Sequence, residues 1–482
     1  MPAVVEVGVC EVNLWESCLW TLLRSGVVAA IALSIAMPLS RLVSDAANRT
    51  LRRFVWVALL VPFVTPSILV GYAYAHFSSL IRHEHLNHLL YVTLLCLKFV
   101  PVAVLVLHFA PPPPIGAQAM HVAKMMNQKK PGLWFRGIAR TRAVSFGVVF
   151  LIAFQEFEIA SLMQVRPKMW AEPLFDLQQL RPTLGESIRH ALLPVLCQLI
   201  VLAPLLWVLL RDSRHRQNGG PAARALNGPG SIVAAVYLLI AAIVGCAFPA
   251  WVVISHAGPG MANWSGIMGE VTASALFAGA AMALVYIRCT CFVHTALGRF
   301  RRFTTIALCI PGLFGSLIVA LTMLTLFQRV PGLHALYDTP LPLLIALSLL
   351  LLPVGALLVT LILAPRRNNR GQALFLAKSL QQSHDNTIKR SGRSIGWQML
   401  GAPRVWVLFV IFVMGYFDLS STSLLHPTNM TPAPVLLYNR MHYGQNSVLS
   451  AQVLITVAVP VAVMIALWAS MQARSLTTRI AR

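Results

Sequence analysis

The sequence predicts an all-α polytopic membrane protein of about eleven transmembrane helices, built from two tandem repeats that run in parallel. Three observations carry that prediction. Of 482 residues, 57% are hydrophobic and 11% charged, with a mean hydropathy of +0.72, and runs of ~20 apolar residues, long enough to cross a hydrocarbon core, recur along the chain. One stretch is written twice: RRFTTIALCIPGLFGSLIV from Arg301 lies over RRFVWVALLVPFVTPSILV from Arg52 at a constant offset of 249 residues, without a gap. Finally, successive loops alternate between rich and poor in Lys and Arg.

Taken in order, the spans fall at 15–38, 54–77, 88–109, 143–164, 189–210, 231–253, 268–291, 303–327, 341–363, 405–425 and 447–470. The basic loops hold Arg49, Arg52 and Arg53; Lys124, Lys129 and Lys130; Arg211 and Arg214; Arg299, Arg301 and Arg302; Arg366, Arg367, Lys389 and Arg390; and the tail Arg474 to Arg482. Short loops rich in Lys and Arg stay in the cytoplasm, which puts the N-terminus outside and the C-terminus inside. An even number of spans would spoil that alternation. The formal charge of +23 is therefore a topology signal. Nucleic-acid binding would need a basic face on a soluble domain, and none is written here.

The repeat matches more than apolar character. Arg52/Arg301, Arg53/Arg302, Phe54/Phe303, Pro62/Pro311 and Ser67/Ser316 all fall in register. Proline inside a span removes a backbone hydrogen bond and bends the helix, so the second and eighth spans are expected to be broken alike. Spans 1 to 5 pair with spans 7 to 11, leaving span 6 without a partner in the first half. The expected division is a first unit over 1–215 with five helices, lacking a counterpart of the opening helix, a basic linker over 216–230, and a second unit of six helices over 231–482.

Two further echoes lie downstream. HVAKMMNQ from His121 aligns with FLAKSLQQ from Phe375 through Ala123/Ala377, Lys124/Lys378 and Gln128/Gln382, and the apolar spacing predicts a short amphipathic helix in each cytoplasmic loop. QEFEIASLM from Gln155 then matches YFDLSSTSL from Tyr416 through Phe157/Phe417, Glu158/Asp418 and Ser161/Ser421. An acid within a span is expensive to bury and normally faces a bundle interior or a water-filled path. Glu156, Glu158, Ser161, Asp418 and Ser421 are accordingly the candidate translocation-path residues, with the acids accepting hydrogen bonds from nearby helices, such as from Ser residues one turn on, as the competing role. Glu270 is read as interfacial.

Other motifs carry less. The eight cysteines lie mostly inside spans and form no CxxC pair, so they read as core. His83, Glu84, His85 and His88 cluster in an outer loop, but their spacing matches no standard metal site. The opening residues carry Glu6, Glu11 and Glu16 where a signal peptide needs positive charge. Without a GK dipeptide the chain has no phosphate-binding loop, so no enzyme activity or cofactor is expected, and any ATP hydrolysis belongs to a partner.

These halves, loops and acidic helices, together with LLHPTNMTPAPVLLYNRMHYGQNSVLSAQVLITVAV from Leu424, resemble the integral-membrane permease subunit of binding-protein-dependent ABC importers. The branch it is most similar to is the fused type that serves ferric iron and thiamine. The resemblance implies a type-1 transmembrane domain in a bacterial inner membrane, lipid around its helices, ATP-binding cassette subunits beneath it and a periplasmic substrate-binding protein above it. It also implies that the two loops carry the EAA motif that docks the ATPase. His121, Val122 and Ala123 stand at Glu-Ala-Ala, followed by Lys124, with Asn127 at the motif Gly. Phe375, Leu376, Ala377, Lys378 and Gln381 do so in the second half. Only the last Ala of each EAA is retained. An ion-coupled secondary transporter and a non-transporting scaffold of the same fold are the competing readings.

Overall fold

The computed structural model describes residues 14–45, 49–81, 83–109, 132–179, 184–211, 229–294, 299–363, 376–377, 379–382, 385–397, 402–442 and 446–480. Among these residues every regular element is helical. Seven helices are long and apolar enough to cross a membrane alone, and nine if two bent pairs each count as one span. The two remaining expected spans, 143–164 and 303–327, are both interrupted near their middle, a break that hydropathy averaging runs straight through. The chain divides into two compact units, Met1–Val252 and Val253–Arg482.

The first unit contains α1 (Leu14–Asp45), α2 (Arg49–Val64), α3 (Ser67–Leu80), α4 (Glu84–Phe109), α5 (Gly132–Phe154), α6 (Glu158–Met163), α7 (Ala171–Gln179), α8 (Leu184–Arg211) and α9 (Pro229–Ala242). α1, α4 and α5 pack on one another, α2 lies on α4, α8 on α1 and α5, and α3 on α6. Close approach is possible because α1 turns Ala29, Ala32 and Ala36, all fully buried, toward its neighbours. α9 continues through a π-helical turn, Ile243–Ala247, into α10 (Phe248–Ala257).

α9 was expected to open the second unit, yet the compact division falls after Val252 rather than within 216–230. The reason is visible in its contacts: α9 packs on α1, α2 and α4. The Tyr237 hydroxyl donates to the Leu97 carbonyl at 2.8 Å, and the Tyr74 hydroxyl to Val244 in the π turn, also at 2.8 Å. Phe248 packs on Tyr74 and Phe77.

The second unit contains α11 (Trp264–His294), α12 (Arg299–Gly312), α13 (Ser316–Arg329), α14 (Leu341–Leu363), α15 (Asn386–Gly396), α16 (Ala402–Tyr416), α17 (Leu419–Leu425), α18 (Ala433–His442) and α19 (Asn446–Ile480). α11, α14 and α16 pack together around Ala281, Leu343, Leu347 and Ile411. α12 lies on α14, α13 on α17, α19 on α11 and α16. Two glycines permit these approaches: a Cβ on Gly312 would meet the Leu349 carbonyl oxygen, and one on Gly355 would lie 2.5 Å from a Val285 methyl.

Candidate functional site

In each unit two helices break, and the breaks expose backbone groups that something else must satisfy. In the first unit α2 stops at Val64 and α3 restarts at Ser67 with a bend of 70°. Pro66 has no N–H to continue the ladder. Thr65 closes the last turn, its N–H and its hydroxyl both donating to the Val61 carbonyl, at 2.9 and 2.8 Å. The Thr65 carbonyl is left facing away, and the Lys98 ammonium of α4 donates to it at 3.2 Å and to the Ser67 hydroxyl at 2.5 Å.

The break between α5 and α6 lies beside it. Glu156 is buried, its Oε1 accepting the Ile159 N–H at 2.6 Å and its Oε2 the Tyr91 hydroxyl at 2.8 Å. It therefore satisfies an N–H in the first turn of α6, three residues on from itself. The carbonyl of Phe154, freed at the end of α5, accepts the Trp170 indole N–H at 2.7 Å. Gln155 donates to Gln198 of α8 at 2.8 Å. Glu158, by contrast, is half-buried, and together with Glu156 it lies within electrostatic range of Lys98. Packing is tight here, since a Cβ on Gly71 of α3 would lie 2.7 Å from Leu162 and 3.4 Å from the Glu158 carbonyl oxygen.

In the second unit α12 stops at Gly312 and α13 begins at Ser316 after Gly315, whose φ of 91° suits glycine alone. α16 and α17 meet at 54°. Asp418, half-buried, caps α17: its Oδ2 accepts the Ser421 N–H at 2.9 Å, and it is hydrogen-bonded to the Ser316 hydroxyl. Leu347 of α14, fully buried, stands at the repeat position of Lys98.

The acids predicted as path residues are thus all placed at helix breaks, but in different roles. The alignment pairs Glu158 with Asp418, whereas the capping geometry pairs Glu156 with Asp418, because each accepts from the N–H three residues on. Ser161 is half-buried; Ser421 is fully buried, and its hydroxyl has no partner among the described residues. Sequence reasoning missed Lys98, a single charge that an apolar window averages away. It also missed two fully buried glutamines, Gln198 and Gln452. Gln452 accepts from Arg440 at 2.8 Å and donates to Glu270 at 2.9 Å, so Glu270 belongs to a polar network within the second unit.

Above the first break a strap, Val165–Trp170, crosses α1. Buried Arg24 donates to the Pro167 carbonyl at 2.7 Å and to the Met169 sulfur at 3.2 Å. It also lies 3.5 Å from the His88 ring, whose Nε2 meets the Arg166 carbonyl oxygen. His88 is therefore engaged in the strap, and among the described residues no group of three metal-ligating side chains exists. Glu172, on α7 outside the spans, is buried with the Met169 N–H against it; burial pushes its carboxyl up to about 7.

Of the loop candidates, His121, Val122, Ala123, Lys124, Asn127, Phe375 and Lys378 lie outside the described residues. Leu376 is exposed and Ala377 buried, while the Gln381 side chain donates to the Gly392 carbonyl of α15 at 3.1 Å. Gly392 fits because a Cβ there would stand 2.8 Å from the Ala377 carbonyl oxygen. The chain matches no protein-family model, no curated protein and no solved structure.

Proposed function

We propose that the chain is the transmembrane permease of an ABC-type importer, passing a small solute, polar or cationic in character, across a bacterial inner membrane. ATP hydrolysis comes from separate cassette subunits at the two basic loops, and solute is delivered by a periplasmic binding protein. The observation that carries this reading is a recurrence of neighbours. α1–α4, α1–α5, α4–α5, α2–α4, α3–α6, α1–α8, α5–α8 and α7–α8 in the first unit correspond in order to α11–α14, α11–α16, α14–α16, α12–α14, α13–α17, α11–α19, α16–α19 and α18–α19 in the second. Both copies break at the same two helices. That recurrence supports a duplicated unit, and the even run of spans between basic loops supports a parallel duplication with both loops on one face.

An ion-coupled secondary transporter would need a carboxylate free to take and release its ion. Glu158, one of the two candidates, lies within electrostatic range of Lys98. The importer reading is tested by co-purification with its cassette ATPase. Deleting 121–128 and 375–382 is expected to abolish association; ATPase retained after both deletions contradicts the docking of the cassette at these loops.

A further inference from the structure

Arg24, in α1, is the only buried arginine among the described residues, at 6% exposure. No carboxylate among those residues lies within ion-pair distance of it. Its acceptors are all neutral. One terminal nitrogen, Nη2, donates to the Pro167 carbonyl at 2.7 Å and stands 3.5 Å from the His88 ring. The other, Nη1, donates to the Met169 sulfur at 3.2 Å, and the Nε hydrogen has no partner among the described residues. The Thr21 hydroxyl lies 3.6 Å from the same sulfur, and the Trp20 ring 6.0 Å from the guanidinium carbon. Glu172 is within electrostatic range, but its carboxyl accepts the Met169 N–H. In the second unit the repeat position of Arg24 is Ala273, and Arg440 is joined to Glu270 through Gln452. Arg24 has no such link to an acid.

A buried cation without a counter-ion is costly, and a thioether is a weak acceptor. A guanidinium fork fits a carboxylate or a phosphate with two parallel hydrogen bonds, roughly twice as strong as those to a neutral oxygen. We propose that Arg24 is an anion-recognition residue for which the strap Val165–Trp170 holds the place. An incoming carboxylate or phosphate takes the guanidinium donors from Pro167 and Met169, and the strap lifts as it does so. The acceptors it displaces are the ones least able to keep a cation. On the importer reading the group belongs to the solute, which narrows the polar solutes to those carrying an oxyanion; an anionic lipid headgroup offers the same chemistry, and the test separates the two. Binding is measured without transport or ATPase, so it fails or succeeds independently of that reading.

The full chain in phosphatidylcholine nanodiscs is digested briefly with trypsin, with sodium phosphate or sodium succinate compared against sodium chloride at equal ionic strength. Cleavage after Lys168, which precedes fully buried Met169, reports the strap, and cleavage after exposed Arg329 is the internal control. Phosphate or succinate is expected to raise the ratio of the two cuts by about threefold or more over chloride, as the population with a lifted strap grows. That result assigns the site to a soluble anion. A rise seen only when phosphatidylglycerol is added to the discs assigns it to a lipid headgroup, and no rise in any of these conditions overturns the proposal. In Arg24→Gln the ratio is expected to be indifferent to the anion, whatever its level; a response as large as that of the wild type overturns the proposal. A purely structural role for Arg24 would loosen the strap in this variant but give no anion response in the wild type. If Arg24→Gln does not fold, Arg24→Lys decides, because it keeps the charge and loses the fork. It is expected to need about tenfold more anion for the half-maximal ratio, and an unchanged requirement overturns the proposal.

Discussion

At the scale of single residues, Glu156 and Asp418 are first of all partners of backbone N–H groups, and their mutation should be read with that in mind. Asp418→Ala removes an N-cap acceptor and is expected to lower stability by about 1 kcal/mol, whereas Asp418→Asn keeps an acceptor and costs less. Thermal unfolding of the purified variants checks this. A transport defect in Asp418→Asn at near-normal stability would then report charge rather than folding. Glu172 makes a pH prediction with a definite sign. Its carboxyl is raised from 4.5 to about 7 by burial. Between those values the folded chain holds a proton that the unfolded chain has released, so this stabilisation is fully present below pH 4.5 and is lost as pH rises toward 7. Linkage sets the change at on the order of 3 kcal/mol. Melting curves from pH 4.5 to 8 should show the decline, and Glu172→Gln should flatten it; an unchanged slope would place the titration elsewhere.

At the scale of elements, the broken helices depend on close backbone approach. Gly312→Ala puts a methyl against a backbone carbonyl of α14 that cannot turn aside. It is expected to destabilise by about 1–3 kcal/mol, and a lowered melting temperature would show it. Gly279, with open space around its α-carbon, is the control and should tolerate alanine. The breaks in the second and eighth spans were legible beforehand, because Pro62 and Pro311 fall in register inside apolar runs, and so was the repeat that aligned them; the breaks before Glu158 and Leu419 hold no proline and were not. Roles within the breaks were not legible either. Residue-by-residue alignment gave Glu158 and Asp418 the same place, but capping depends on which acceptor reaches an N–H three residues on, and Glu156 does so. Lys98 stayed hidden because hydropathy sums neighbours, and Leu97, Phe99 and Val100 outweigh one ammonium. The helix from Pro229 was assigned by sequence order to the second unit. Its Tyr237 and its π turn, met by Tyr74, bind it to the first unit through contacts across more than a hundred residues, which no local pattern records.

At the scale of the whole molecule, the proposed importer is a duplication in parallel: two units written in the same direction that would each deliver a basic loop to the same side of the bilayer. A secondary transporter with an inverted repeat would deliver them to opposite sides. Transport itself is expected to fall when both Glu158 and Asp418 are made neutral, measured as uptake by vesicles carrying the variant with its cassette ATPase. The most direct measurement is topological. Single cysteines placed at Met125 and Leu380 in a cysteine-free background are labelled with a membrane-impermeant maleimide, from outside intact cells and from inside inverted vesicles. Both are expected to react only from the cytoplasmic side, and labelling of the two from opposite sides contradicts the parallel duplication.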